Sequence, residues 1–217
     1  ILSANINYQH DFAFGDFTPT LKMGGYTEYR TREYNTRLFI YSWKNGLPSN
    51  YRVMNVPDEL MQDKNYGEDK LYLLEQVDWR NNYEGNNMLG AGYAGVNLPF
   101  GKWNIYAGVR FEHSRMELIS NTQKNEKSPT SVYYTYDDFF PSLNAAYRLN
   151  EQHQFRLSYG RTVNRPEFRE VSSSVYYDFD LASNVQGNYD LKAAYIDNID
   201  LGYEYYPSNG CLLYTSP

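Results

Sequence analysis

The chain has 217 residues, a formal net charge of −6 and 18% aromatic residues, among them 24 tyrosines. No run of about 18 apolar residues occurs, which excludes a transmembrane helix, and the mild acidic excess lacks the basic patch that nucleic-acid binding requires. One cysteine, Cys211, excludes an internal disulfide framework and a zinc site built on cysteines.

The first residues already alternate in the manner of a strand (Ile6, Tyr8, His10), so no signal peptide is read and the N-terminus is expected to be truncated. A strand is predicted over Asn5–Asp11, a turn at Phe14-Gly15-Asp16, and a second strand over Leu21–Tyr34. In that second strand Leu21, Met23, Gly25, Thr27, Tyr29 and Thr31 form one face, and Lys22, Gly24, Tyr26, Glu28, Arg30 and Arg32 the other. A long polar stretch to about Asn86 follows. It is expected to hold a short helix near Pro57–Lys64, opened by Pro57, and a loop strand within Lys70–Trp79. A third wall strand spans Met88–Leu98, and Pro99–Lys102 reads as a tight turn.

The fourth strand has the cleanest period: Trp103, Ile105, Ala107, Val109 and Phe111 alternate with Asn104, Tyr106, Gly108, Arg110 and Glu112. A polar loop, Asn121–Thr135, is predicted next. Two more strands follow, Leu143–Leu149 and Phe155–Gly160 with its extension to Thr162, joined by a turn over Asn150–Gln154. A second long loop covers Asn164–Leu191. The last strand, Ala193–Tyr205, sets Ile199, Leu201, Tyr203 and Tyr205 against Asn198, Asp200, Gly202 and Glu204, and ends in a turn at Pro207–Gly210.

Strict alternation over eight or more residues indicates antiparallel sheet with two chemically different faces. The strands run to about 10–15 residues, beyond the usual 5–6 of globular strands and enough to cross a bilayer at a tilt. Short turns alternate with loops of about 15–50 residues, the outer-membrane barrel rhythm. Arg110, Glu112, Arg148, Arg156, Asp200, Glu204, Glu28, Arg30 and Arg32 share one phase. Buried dry and unpaired they would cost several kcal/mol each; a wet or polar lumen removes that cost. A soluble β-sandwich also alternates, but would show turn signals every 8–12 residues or so. The expected fold is therefore all-β: an antiparallel transmembrane barrel segment of about seven strands, closed only together with further strands, since a spanning sheet has no free edge.

Three stretches carry a resemblance: Pro141–Asn144 (PSLN), Ser158–Pro166 (SYGRTVNRP) and Gly187–Asn198, the last opening the final strand. In this order and spacing they resemble the C-terminal half of TonB-dependent outer-membrane receptors, and the Ala94–Ser114 hairpin is similar to the one preceding them. The likeness covers about Gly92–Tyr206. It implies a barrel of about 22 strands in a Gram-negative outer membrane, occluded by an N-terminal plug. It also implies active uptake of a scarce, large nutrient such as a siderophore, cobalamin or a glycan. The implied partners are outer-membrane lipid, TonB of the inner-membrane energising complex, and, in some receptors, a surface lipoprotein. The alternatives are a passive porin or adhesin barrel and a soluble β-rich binding module. On this reading residues 1–210 are a partial barrel. The terminal Cys211–Pro217 departs from the pattern and is expected to be a non-native tail.

Read for their own physics, Arg165-Pro166 mark the point where a strand leaves the membrane, Pro166 removing a ladder donor, and Gly187-Asn188 suit a sharp turn; both read as structural landmarks. No enzymatic constellation is found: His10, His113 and His153 are scattered, and His113 and Ser114, being neighbours on a strand, point to opposite faces. No cofactor or metal ligands are assigned. The carboxylates of YTYDDFF and YYDFD read as solvated loop residues, without the spacing of a calcium loop. The tyrosine-rich stretches Ser131–Asp138 and Ser172–Asp180 are the loop segments best suited to a ligand, and equally to an interfacial aromatic girdle; ligand-binding residues stay unassigned.

Overall fold

The computed structural model describes residues 1–44, 61–67 and 69–207. The wall strands are β1 (Leu2–Asp11), β2 (Thr20–Tyr34), β5 (Tyr83–Phe100), β6 (Trp103–Asn121), β7 (Pro129–Arg148), β8 (His153–Asn164) and β11 (Ala194–Tyr205). They form one sheet in the order β1-β2-β5-β6-β7-β8-β11, antiparallel throughout. Two small hairpins sit in the long connections: β3 (Leu38–Trp43) with β4 (Leu71–Gln76), and β9 (Val175–Asp178) with β10 (Ser183–Gln186). The seven expected wall strands are the seven found. Their outer edges, β1 and β11, run in the same direction, as the first and last of an odd antiparallel set must.

The register confirms the two faces. Leu98, Ile105, Ala145, Leu157 and Leu201 stand opposite one another across five strands. So do Phe100, Trp103, Tyr147, Phe155 and Tyr203, a row of aromatic rings at the short-turn end. Within it Trp103 and Tyr147 lie 4.7 Å apart and Phe155 and Tyr203 5.1 Å. Eight residues higher on β6, Phe111 meets Phe139 at 5.0 Å. That is about 27 Å along the strand, or roughly 20 Å of height at barrel tilt, close to the apolar band of an outer-membrane barrel. Among the described residues no second layer covers it: Val109 is 47% exposed, Leu157 44% and Leu201 83%. The opposite face lines a concave groove of about 1280 Å³, bordered by Asn97, Asn104, Tyr106, Asn144, Arg156 and Asp200. The polar phase is thus the inside of the curve, as expected.

Several boundaries differ from the sequence reading. The upper halves of β5, β6 and β7 extend well past their predicted ends. Thr130–Thr135, assigned to a loop, pairs with β6 as strand, and only residues 122–128 connect the two. The stretch Ser131–Asp138 is therefore wall rather than loop. These residues rise above the apolar band, where the outer face turns polar and the inner face turns apolar beneath Phe168 and Val171, so the period of two continues with its faces exchanged. The hairpins β3–β4 and β9–β10 are additional; only β4, Leu71–Gln76, was foreseen. The helix expected over Pro57–Lys64 lies mostly outside the described residues, and Asp63–Asn65 forms a single 3-10 turn. The turn Pro207–Gly210 and the tail Cys211–Pro217 fall, beyond Pro207, outside them as well.

Candidate functional site

The main apolar cluster of the described residues lies on the concave face, at the end away from the short turns. Tyr83 from β5 and Met116 and Leu118 from β6 enclose Phe168 and Val171, with Tyr34 and Tyr134 at the border. Phe168 and Val171 belong to the connection between β8 and β11, which therefore turns inward over the mouth. Phe168 is 1% exposed and Val171 0%. Phe168 lies so close to Gly85 that a methyl group there would run into the ring. Gly187 is enclosed in the same way by the carbonyls of Arg169, Glu170 and Ser172, and the Asn188 amide donates to the Glu170 carbonyl at 2.7 Å.

Polar contacts fix the connection further. Ser173 Oγ lies 3.1 Å from the Arg80 carbonyl and 2.9 Å from that of Asn121. The Val175 amide donates to Asn81 Oδ1 at 2.9 Å. Arg30 stacks over Phe168 at 5.5 Å and reaches Glu167 at 3.5 Å. The Arg80 guanidinium grips Asp78 through two bonds of 3.0 and 2.8 Å and holds its carboxyl below the usual range. Ser172–Ser174, expected as exposed loop, are thus buried structural residues. The exposed part of that stretch is the β9–β10 tip, where Phe179 is 86% exposed.

Below this cluster lies an ionic network. Arg165, just past β8, donates from Nη1 to Glu112 Oε2 and from Nη2 to Asp138 Oδ2, both at 2.7 Å. Arg110 Nε donates to Glu112 Oε1 at 2.7 Å, and Tyr195 OH to Asp138 Oδ1 at 2.6 Å. Each of the four carboxylate oxygens accepts one bond, and two guanidinium charges balance two carboxylates. That balance lets the group sit with Glu112, Asp138 and Arg165 only 10–18% exposed, because a buried charge must be paired and hydrogen-bonded. Asp138, read from sequence as a solvated loop carboxylate, is instead a pillar of this network.

His113 points outward, its Nδ1 2.7 Å from Asp137 Oδ1, while Ser114 points inward toward Asn87. The opposite orientations are those the strand period requires. Among the described residues no three His, Cys, Asp or Glu side chains stand together to hold a metal. Asp178, one of the two carboxylates of the second tyrosine-rich stretch, accepts from the amides of Asp180 and Leu181 and shapes the β9–β10 turn. The network's central residue, Arg165, was visible in the sequence only as a strand-end landmark; its partners on β6 and β7 became apparent once the register was fixed.

An apolar outer band with aromatic borders, a polar concave face and a mouth filled from within define the wall of an outer-membrane β-barrel. The model of the outer membrane protein beta-barrel family matches residues 58–216, and the chain belongs to that family, which locates it in the bacterial outer membrane. No curated protein matches the chain.

Proposed function

We propose that this chain forms wall and mouth of a TonB-dependent receptor that takes up a large, scarce nutrient: a siderophore, cobalamin or a glycan. Its share of the mechanism is structural, with no catalytic step. The wall bounds the lumen, the inward-turned connection shapes the mouth, and the energy arrives through TonB acting on a region of the receptor outside this chain. A surface lipoprotein is a further partner consistent with the exposed β9–β10 tip.

The observation that carries this reading is the placement of the recurring stretches. Ser158–Pro166 supplies Arg165, which anchors the ionic network, and Gly187–Asn198 supplies the enclosed Gly187 and the bonded Asn188. Arg165, Gly187 and Asn188, which belong to the receptor pattern in sequence, help to build the mouth.

The test is energy dependence in the native host. Deleting the gene should abolish growth on one member of a panel of iron chelates, cobalamin and glycans, and removing TonB or collapsing the proton gradient should abolish the same uptake. Uptake that survives both treatments would replace this proposal with a passive porin.

A further inference from the structure

The ladder between β7 and β8 stops early. It runs only from Ser142↔Gly160 to Arg148↔Gln154. Above it β7 continues from Pro141 up to Pro129 paired with β6 alone, and β8 continues to Asn164 paired with β11 alone. Pro141 has no N–H to give, and it stands at the point where the ladder ends, while β6 pairs straight past it. The wall therefore divides at the level of the upper aromatic border, next to Phe139.

Side chains hold the division together in place of backbone bonds. Arg165, on the β8 side, crosses to Asp138 of β7 and Glu112 of β6. Its guanidinium lies 5.7 Å from the centre of the Tyr136 ring and 5.9 Å from that of Phe140. Tyr195 of β11 crosses to Asp138. Higher up, Tyr134 OH crosses to the Tyr189 carbonyl at 2.9 Å. There the gap widens into a cleft of about 520 Å³ between Tyr133–Tyr136 on one lip and Tyr189–Lys192 on the other. Ladder bonds are many and cooperative; these side-chain crossings, joined by Ser120 Oγ at 3.4 Å from Tyr189 OH and by the packing of Phe168 and Val171 on the concave side, are fewer and separable.

We propose that this division is a closable lateral opening in the barrel wall, connecting the lumen with the headgroup layer, and that Arg165 is its clasp. Arg165 acts as a positioning residue: releasing it removes at once the links from the β8 lip to both strands, β7 and β6, of the facing lip. The opening does not depend on what the barrel transports.

Amide hydrogen exchange of the intact protein in outer-membrane vesicles tests this. In the wild type, amides of the lips, 130–140 and 161–164, should exchange faster than those of the paired segments 142–148 and 154–160. Arg165→Ala should speed the lips at least tenfold and leave the paired segments unchanged. Arg165→Lys, which keeps the charge but serves one carboxylate, should fall between. Pro141→Val restores the missing donor and should slow exchange of 161–163, a gain of protection that needs no destabilised protein. Unchanged lips in Arg165→Ala, equal loss of protection in both lips and ladder, or no gain in Pro141→Val would each overturn the proposal.

Discussion

Phe168 fills the space that Gly85 leaves open, and each residue is explained by the other. Removing the ring should cost about 3–5 kcal/mol, the usual loss for a buried phenylalanine. Gly85→Ala should cost about 1–3 kcal/mol by overpacking the same spot. Combining Phe168→Ala with Gly85→Ala should cost less than the sum, because the added methyl group enters the space the ring vacated; unfolding in denaturant measures all three. Asp78 makes a pH-dependent contribution. Its folded pKa lies below the unfolded value because Arg80 holds the charged form. The stabilisation is therefore present above the unfolded pKa, about 3.9, and is lost as pH falls through the lower folded value. Limited proteolysis should find segment 78–82 protected at neutral pH and released only in strong acid, whereas Asp78→Asn should be released at neutral pH.

Depth governs the strands. Leu143 faces outward at the level of Ala107 and Tyr159, midway between the aromatic rows, whereas Thr135 stands opposite Arg115 above them. Leu143→Arg should cost about 2–4 kcal/mol and Thr135→Arg about 0–1, measured by folding equilibria in lipid vesicles; equal costs would mean that lipid does not touch this face. The same contrast explains how much could be read beforehand. Between Trp103 and Phe111 the sequence alternates without fault, because lipid on one side and lumen on the other impose a rule on every residue. Above Phe111 that rule inverts: His113, Arg115 and Glu117 point outward as polar groups while Met116 and Leu118 turn inward, and the strand no longer reads as lipid-facing wall. The β3 strand escaped because Leu38-Phe39-Ile40-Tyr41 is apolar without alternating. The inward turn of the mouth escaped because Phe168 and Val171 are isolated apolar residues in a polar stretch, and only tertiary contact tells them from ordinary surface residues.

Across the whole sheet the water boundary runs obliquely. On the outer face the first charge of β2 is Glu33, level with Ile119 of β6. On β6 and β7 the polar residues begin at His113 and Asp137, and on β8 and β11 at Arg161 and Asp197, one alternate position above Tyr159, which stands level with Ala107. The short-turn ends descend the same way, from Thr20 of β2 opposite Asn97 to Arg148 opposite Gln154. A flat membrane cut by tilted strands gives this slant, and a sandwich of upright strands would not. The shared direction of β1 and β11 sets an arithmetic condition on completing the ring. Joining these two borders to each other, or to a second copy inserted with the same orientation, would force a parallel seam into an otherwise alternating cylinder. Alternation all the way round requires an odd number of further strands closing the ring between Leu2–Asp11 and Ala194–Tyr205, so the finished cylinder has an even count.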